Sequence, residues 1–283
     1  MDEIVPLWLV NVLAFTTVFS VMAAIGTTIR LNTFLEHIRS PSALCRGLIN
    51  VLALVPSVGI LSSFLLGLSL PEKVGVALMV IAPGAPLALR RALGSGGHAG
   101  FAPTLQVAIA ILALPALPLW VAIGNWILGT HGIVDLAAVA KQISLAQLLP
   151  LALGAAVRSV APVCGPRLGI ALGRAGAALL IVAIVTEVAN LHAIIALARP
   201  GPVVVSIITT SAAIMMGHLS GGALPAVRHS IAVASALRNV GLALLIAETN
   251  HVPAMVQTAI ITYAISAIIL VSVYIVVYSR WRR

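Results

Sequence analysis

Residues 74–93 read VGVALMVIAPGAPLALRRAL, and residues 225–247 read PAVRHSIAVASALRNVGLALLIA. Both stretches are apolar and reach the roughly 20 residues that an α-helix needs to cross a bilayer. The first is interrupted near its middle by two prolines and a glycine at 83–86, and the second by Arg238. Because unpaired backbone and buried charge are costly in hydrocarbon, these interruptions predict a polar site near the bilayer centre. A simple proline kink is the alternative for the first stretch.

The composition of the whole chain also indicates a membrane protein. Of the 283 residues, 61% are hydrophobic and 8% are charged, and the mean hydropathy is +1.15. A soluble domain is about 45–50% apolar and about 25% charged. A water-soluble globule of this composition could not cover its own surface. The composition therefore excludes a cytosolic enzyme, a secreted disulfide scaffold and a disordered protein, and it predicts an all-α polytopic membrane protein.

Hydropathy along the chain predicts nine transmembrane helices joined by short loops. The fifth span separates two groups of four, and the third span of each group is the interrupted one. One extra helix between the groups gives them opposite orientations, which is typical of transporters with inverted repeats and a midplane site. The predicted spans are 5–25, 44–66, 74–93, 101–127, 145–160, 171–197, 203–216, 225–247 and 254–278.

These spans predict a single transmembrane transporter unit over residues 1–283. Its first inverted repeat comprises residues 5–127, its linking helix residues 143–161 and its second repeat residues 171–278. A short internal match agrees with the repeat, because ALRR at 88–91 resembles ALRN at 236–239. The match aligns Arg90 with Arg238. For Arg90 the alternative is a side chain that snorkels to the membrane surface.

Lysine and arginine positions predict the orientation. If the N-terminus is outside, ten basic residues lie on inner loops or the tail and three lie outside, which fits the positive-inside rule. The protein is therefore expected in the cell (inner or plasma) membrane, with the C-terminus in the cytoplasm. The inner residues are Arg30, Arg39, Arg46, Arg158, Arg167, Arg174, Arg228, Arg280, Arg282 and Arg283, and the outer ones are Lys73, Lys141 and Arg199.

The net charge of +9 is thus explained mainly by orientation within lipid rather than by nucleic acid. Aromatic residues are 4% of the chain, which leaves little stacking surface for nucleic-acid bases. No hydrolase motif, phosphate-binding loop or carboxylate pair occurs in the sequence, so neither an enzyme nor ATP-driven transport is predicted. The pattern likewise predicts no cofactor, and the two cysteines lack metal-site spacing.

Arg238 is the most expensive residue in this sequence to place in a membrane. A central arginine costs about 2.5–3.5 kcal/mol on insertion scales. From mid-span the side chain cannot readily snorkel, so it requires a carboxylate, an unwound carbonyl or an anionic substrate. Glu187 of the sixth span is one candidate counter-ion. Glu187 could also be a proton-coupling acid, or an interfacial carboxylate that reaches water outside.

The chain resembles the bile acid:sodium symporter family over nearly its whole length. The matching stretches are PEKVGVAL at 71–78, which runs into APG at 82–84, and RNVGLA at 238–243. The resemblance implies a panel domain and a core domain in which two broken helices cross. It also implies alternating-access transport of organic anions, such as bile acids and small carboxylates, with two sodium ions.

The sodium-binding residues that the resemblance implies are largely replaced. Ala88 and Leu89 stand where the family usually has serine and asparagine, and the family glutamate and glutamine of the second crossing are Ala234 and Arg238. A family glutamine of the second helix aligns near Asn50 or Val51. Sodium needs several oxygen ligands, by the logic that applies to other hard cations. A fixed guanidinium therefore replaces a bound cation, and sodium is a doubtful partner.

The sequence thus predicts a secondary carrier for a small organic anion without the usual two-sodium coupling. Coupling to sodium or protons through unusual ligands is one alternative, and a ligand sensor or inactive homologue is another. The sequence names neither the substrate nor the oligomeric state. The predicted substrate site comprises Arg238, Asn239, Arg90, Ser235, Pro83, Gly84, Pro86 and Asn50, and no metal site is predicted.

Overall fold

The structure, a computed structural model, describes residues 7–29, 34–37, 41–128, 136–189 and 199–281. All regular secondary structure in this part of the chain is helical. We number the helices along the chain. They are α1 (Leu7–Gly26), α2 (Ser42–Leu65), α3 (Leu70–Ile81), α4 (Pro86–Gly94), α5 (Phe101–Leu128), α6 (Ala137–Val160), α7 (Cys164–Ala189), α8 (Pro200–Ser220), α9 (Pro225–Ala236), α10 (Val240–Thr249) and α11 (Ala254–Trp281).

Six segments of the described chain are long and apolar enough to cross a membrane, which confirms a multi-pass helical protein. Five of them are the helices α2, α5, α6, α8 and α11, and the sixth is the pair α9–α10 taken together. The other three predicted spans coincide with α1, the pair α3–α4 and α7. For these three, membrane crossing stays a prediction, and so does the total of nine.

Both interrupted stretches leave the helical conformation. Helix α3 ends at Ile81 and α4 resumes at Pro86, so the first interruption is a break and not a kink in one continuous helix. Proline has no backbone N–H, and Gly84 adopts a φ of +76°, a value that side chains rarely allow. The second break lies between α9 and α10. The Asn239 amide donates a 3.0 Å hydrogen bond to the Ala82 carbonyl, so the two breaks meet directly.

A second backbone irregularity occurs in α2 and α6. Each contains one π-helical turn, Asn50–Leu54 in α2 and Ser144–Leu148 in α6. A proline follows the turn in both cases, at Pro56 and Pro150. A π-turn shifts hydrogen bonding by one residue, and the proline then removes a donor. Both helices therefore have backbone carbonyls without their usual helical donors.

Helices α1, α6 and α7 pack closely on one another. Glycines allow this approach: a Cβ atom on Gly154 of α6 would lie 2.9 Å from the Gly26 Cα atom of α1 and would also meet the Ala23 carbonyl. Gly169 and Gly176 of α7 are similarly close to α1. Small residues at such positions let membrane helices gain van der Waals contact along their backbones.

Replacing Gly154 by alanine is expected to separate α1 from α6 and lower the midpoint of thermal unfolding in detergent. The obstructing atoms are backbone, which cannot rotate away, so the cost should be about 1–3 kcal/mol, as for overpacking. The matched control is Gly124→Ala in α5, where an added Cβ has no heavy atom within 4 Å. The control should be unchanged or slightly more stable. Equal effects of the two changes would contradict this packing account.

Candidate functional site

The guanidinium of Arg238 lies at the junction of the two breaks and is held by backbone oxygens. The residue is 3% exposed. Its Nη1 donates a 3.0 Å hydrogen bond to the carbonyl of Val51 in α2, and its Nη2 donates to the carbonyl of Val80 in α3. A single side chain therefore links the second break to α2 and to the end of α3.

The π-turn of α2 explains why the Val51 carbonyl is available. In an α-helix this oxygen would accept from the Val55 amide, but that amide donates to Asn50 instead. The next possible donor is Pro56, which has no N–H. The neighbouring Leu52 carbonyl also has Pro56 as its α-helical donor position, and it accepts a 2.7 Å hydrogen bond from Trp120 Nε1. Two successive freed carbonyls thus bind side chains of other helices.

The break after α3 makes the Val80 carbonyl available in a different way. The last four carbonyls of a helix have no donor within that helix, and together they form the negative end of its dipole. Val80 is one residue before the end of α3. A positive guanidinium at this position satisfies an orphan acceptor and interacts favourably with the dipole.

These contacts leave much of the guanidinium unused. Arginine has five N–H donors. The protein accepts from Nη1 and Nη2, while Nε has no partner in the described structure. No carboxylate pairs with Arg238 among the described side chains. The predicted counter-ion Glu187 lies outside the residues whose side chains are described, so the predicted Arg238–Glu187 pair stays untested.

Three other predicted site residues lie buried beside these breaks. The Asn50 Nδ2 atom of α2 donates a 3.0 Å hydrogen bond to the Ser235 hydroxyl of α9, while Asn50 Oδ1 has no partner. Asn239 caps α10, because its Oδ1 accepts from the Leu242 amide at 3.1 Å. The Nδ2 of Asn239 has no partner within the described part. Unpaired buried amides of this kind are usually explained by a ligand, an ion or water.

The first break is fixed by a residue that the sequence analysis did not identify. Pro83 and Gly84 are buried, and the Gly84 carbonyl accepts a 2.8 Å hydrogen bond from Gln106 Nε2 of α5. A Cβ atom on Gly84 would lie 3.2 Å from the Ile109 side chain. Pro86 begins α4, but its side chain lies outside those that the structure describes. The glycine is therefore required both by its backbone angle and by the space around it.

The structure places Arg90 differently from Arg238. Arg90 is exposed, and its guanidinium lies beside Gly173 of α7. Its neighbour Arg91 points elsewhere, donating from Nη1 to the Ser272 hydroxyl of α11 at 3.1 Å. The repeat aligns Arg90 with Arg238, but only Arg238 is bound at the junction of the breaks.

Gln147 is a second buried residue that the sequence analysis missed. It lies in the π-turn of α6, is 0% exposed, and has no partner for either Nε2 or Oε1. Gln142, about one π-turn earlier, donates to the Leu245 carbonyl of α10 at 3.2 Å. This spacing favours an orientation of Gln147 toward the same side of α6. A lone carboxamide within an apolar span was the available sequence signal for Gln106 and Gln147 alike.

The comparisons with known proteins agree with the resemblance found from the sequence. No curated protein matches this chain. A family model for the sodium bile acid symporter family matches residues 15–216. The match includes α3, α4 and their break, and it ends before α9, the break with Arg238 and α10. Because it covers well over half of the chain, the protein belongs to the sodium bile acid symporter family, which is a family of membrane transporters.

Proposed function

We propose that this protein is a secondary carrier of a small organic anion of the bile acid or carboxylate type, in which Arg238 takes the place of a coupling cation. The observation that carries the proposal is the state of the Arg238 guanidinium. It is 3% exposed, two backbone carbonyls accept from it, and no described carboxylate neutralises it. A substrate anion would supply the missing negative charge.

A buried cation without a compensating negative charge is costly. Neutral carbonyls and a helix C-terminus stabilise a guanidinium, but they add no full negative charge. An anion close to Arg238 Nε and Asn239 Nδ2 would pair two donors that are otherwise unsatisfied. Arginine binds carboxylate strongly because its donors match the spacing of the two oxygens. Substrate binding would therefore remove a penalty that the ligand-free protein bears.

The oxygen atoms at this site argue against ordinary sodium coupling. The Val51 and Val80 carbonyls are occupied by Arg238. The aligned sodium-ligand positions Ala88 and Leu89 are buried and carry no side-chain oxygen. A sodium ion at the same place would have to share carbonyl ligands with a fixed positive charge. We therefore propose transport without the usual two-sodium coupling.

Movement between two helix groups would give alternating access. Helix α10 of the second broken pair packs on α1 and α6 as well as on α11, so the two groups meet there. Helix α7 packs chiefly on α1 and α6 in the described residues, whereas the broken pairs otherwise pack mainly with α2, α5, α8 and α11. This division supports a panel of α1, α6 and α7 and a core that contains Arg238. We also propose that residues 5–127 and 171–278 form inverted repeats joined by the linking helix over 143–161. The N-terminus would lie outside and the C-terminus in the cytoplasm.

The residues around the two breaks then have distinct roles. Arg238, Asn239, Ser235 and Asn50 would form the binding site with the first break at Pro83, Gly84 and Pro86. Gln147 would contribute from the panel side, because a fully buried and unpaired carboxamide is costly without a ligand. Arg90 is exposed and would attract anions toward the site without holding them.

A screen of organic anions against the purified protein tests this function. We expect at least one bile acid or small carboxylate to raise the unfolding temperature equally in sodium and choline buffers. A ligand at 100 times its Kd stabilises the native state by about 2.7 kcal/mol. The same anion should enter proteoliposomes that contain the protein, which separates a carrier from a ligand sensor. Strict dependence of binding and uptake on sodium would contradict the proposal.

Arg238→Gln tests whether the Arg238 guanidinium binds the anion found in this screen, and Arg280→Gln is its control. Arg280 is exposed near the end of α11, so its replacement should leave the anion-induced shift intact. Arg238→Gln should abolish that shift. If Arg238→Gln binds the anion as the wild type does, the guanidinium is not part of the site.

Gln147→Leu is expected to raise the stability of the ligand-free protein and to weaken its binding of the anion. Leucine has a similar volume and no polar atoms, so the ligand-free protein should become more stable, by about 1–3 kcal/mol, as an unsatisfied buried amide disappears. Stabilisation by the anion should fall at the same time. Both quantities can be read from thermal unfolding with and without the anion found in the screen.

The control is Gln257→Leu in α11. Gln257 Nε2 donates a 2.7 Å hydrogen bond to Glu248, so this change should destabilise the ligand-free protein and leave the anion shift in place. A Gln147→Leu protein that is less stable but binds the anion normally would show that Gln147 has a packing role only.

A further inference from the structure

Four side chains form a continuous hydrogen-bonded chain away from Arg238. The Ser95 hydroxyl lies 2.6 Å from His229 Nε2, and His229 Nδ1 lies 2.9 Å from the Tyr274 hydroxyl. The Tyr274 hydroxyl lies 2.6 Å from His218 Nε2. The four residues come from the turn after α4 and from α9, α11 and α8 respectively. These hydrogen bonds therefore connect α4, which follows the first break, and α9, which precedes the second break, with the continuous helices α8 and α11.

The direction of each hydrogen bond in this chain follows from the serine. A hydroxyl has one proton, and Ser95 donates it to the Arg91 carbonyl at 2.5 Å. Ser95 must then accept from His229, so His229 carries its proton on Nε2 and accepts on Nδ1. Tyr274 consequently donates to His229 and accepts from Nε2 of His218. Every donor in the neutral chain points the same way, from His218 toward Ser95.

The hydrogen-bonded side chains differ in how deeply they are buried. His229 is 0% exposed, and the Tyr278 ring stacks on it with a centroid distance of 4.0 Å and an interplanar angle of 8°. His218 and Tyr274 are partly exposed. A proton from solvent would therefore reach His229 through His218 and Tyr274. The flat stacking on Tyr278 provides a π surface for a positive imidazolium.

The charged side chains that the described part of the structure places around these four residues are arginines. Arg228 of α9 interacts electrostatically with His218, and Arg91 of α4 precedes Ser95 by one turn. His98, in the turn after α4, donates its backbone amide to the Ser230 hydroxyl of α9. Helices α4, α8, α9 and α11 contain no aspartate or glutamate. Two added protons would therefore repel each other and these arginines, so the pair should hold one.

We propose that His218 and His229 form a proton-binding site that shares one proton through Tyr274. The proton binds Nδ1 of His218, the Nε2 proton of His218 moves to the Tyr274 oxygen, and the hydroxyl proton of Tyr274 moves to Nδ1 of His229. Tyr274 ends neutral, one N–H bond has formed on His229, and the added charge is now fully buried. The charge then lies on α9, nine residues before Arg238. This site stands independently of the proposed anion transport.

Nitrogen-15 NMR of the full-length protein in detergent, with histidine side chains labelled, tests this proposal between pH 5 and pH 8. The protein has seven histidines, and His218→Gln and His229→Gln assign the two signals. We expect His229 in the Nε2–H form at pH 8. As the pH falls, the two signals should shift together and together take up one proton.

Tyr274→Phe keeps the ring and removes the relaying hydroxyl, so in that variant the two signals should shift at different pH values. His251→Gln is the control, because His251 is exposed and outside the chain. An Nδ1–H form of His229 in the wild type, or independent titration of the two wild-type histidines, would overturn the proposal. Once the two signals are assigned, the wild-type spectrum gives this answer even if Tyr274→Phe fails to fold.

Discussion

The binding of Arg238 by two released backbone carbonyls is the interaction on which the site depends. A charged side chain in the middle of an apolar span is stable only where the surrounding backbone offers acceptors. The chain supplies them through two separate irregularities, the π-turn of α2 and the end of α3. Both irregularities are needed, because the guanidinium donates to one carbonyl from each. Arg238, which lies in the second break, is thereby connected both to α2 and to the end of α3 at the first break.

Under the proposed function, the same arrangement would let one member of this transporter family lose its sodium ligands and keep its site geometry. A bound sodium ion gathers oxygen atoms from several helices, and a guanidinium can gather carbonyls from α2 and α3 in a comparable way. The difference is that a covalently attached cation never leaves. The field that attracts an anion would then be permanent, and transport would no longer be driven by the movement of sodium down its gradient.

Much of the fold and part of the site could be predicted from the sequence. Prolines, a glycine and an arginine are visible exceptions within apolar spans, so both breaks and the burial of Arg238 followed from residue type. The two acceptors of Arg238 could not be predicted in this way, because the Val51 and Val80 oxygens belong to the backbone. Only Pro56, which has no N–H, indicated that the Val51 carbonyl lacks a helical donor. Arg90 shares a sequence pattern with Arg238, yet the structure places it on an exposed surface. Gln106 and Gln147 needed three-dimensional neighbours to be recognised.

A sodium titration without any organic anion tests the central claim most directly. Thermal unfolding of the wild type and of Arg238→Gln would be followed as sodium replaces choline at constant ionic strength. A guanidinium that occupies the cation position predicts no response of the wild type. Arg238→Gln, which frees the Val51 and Val80 carbonyls and adds an amide oxygen, should be stabilised by sodium. Stabilisation of the wild type by sodium would contradict the account.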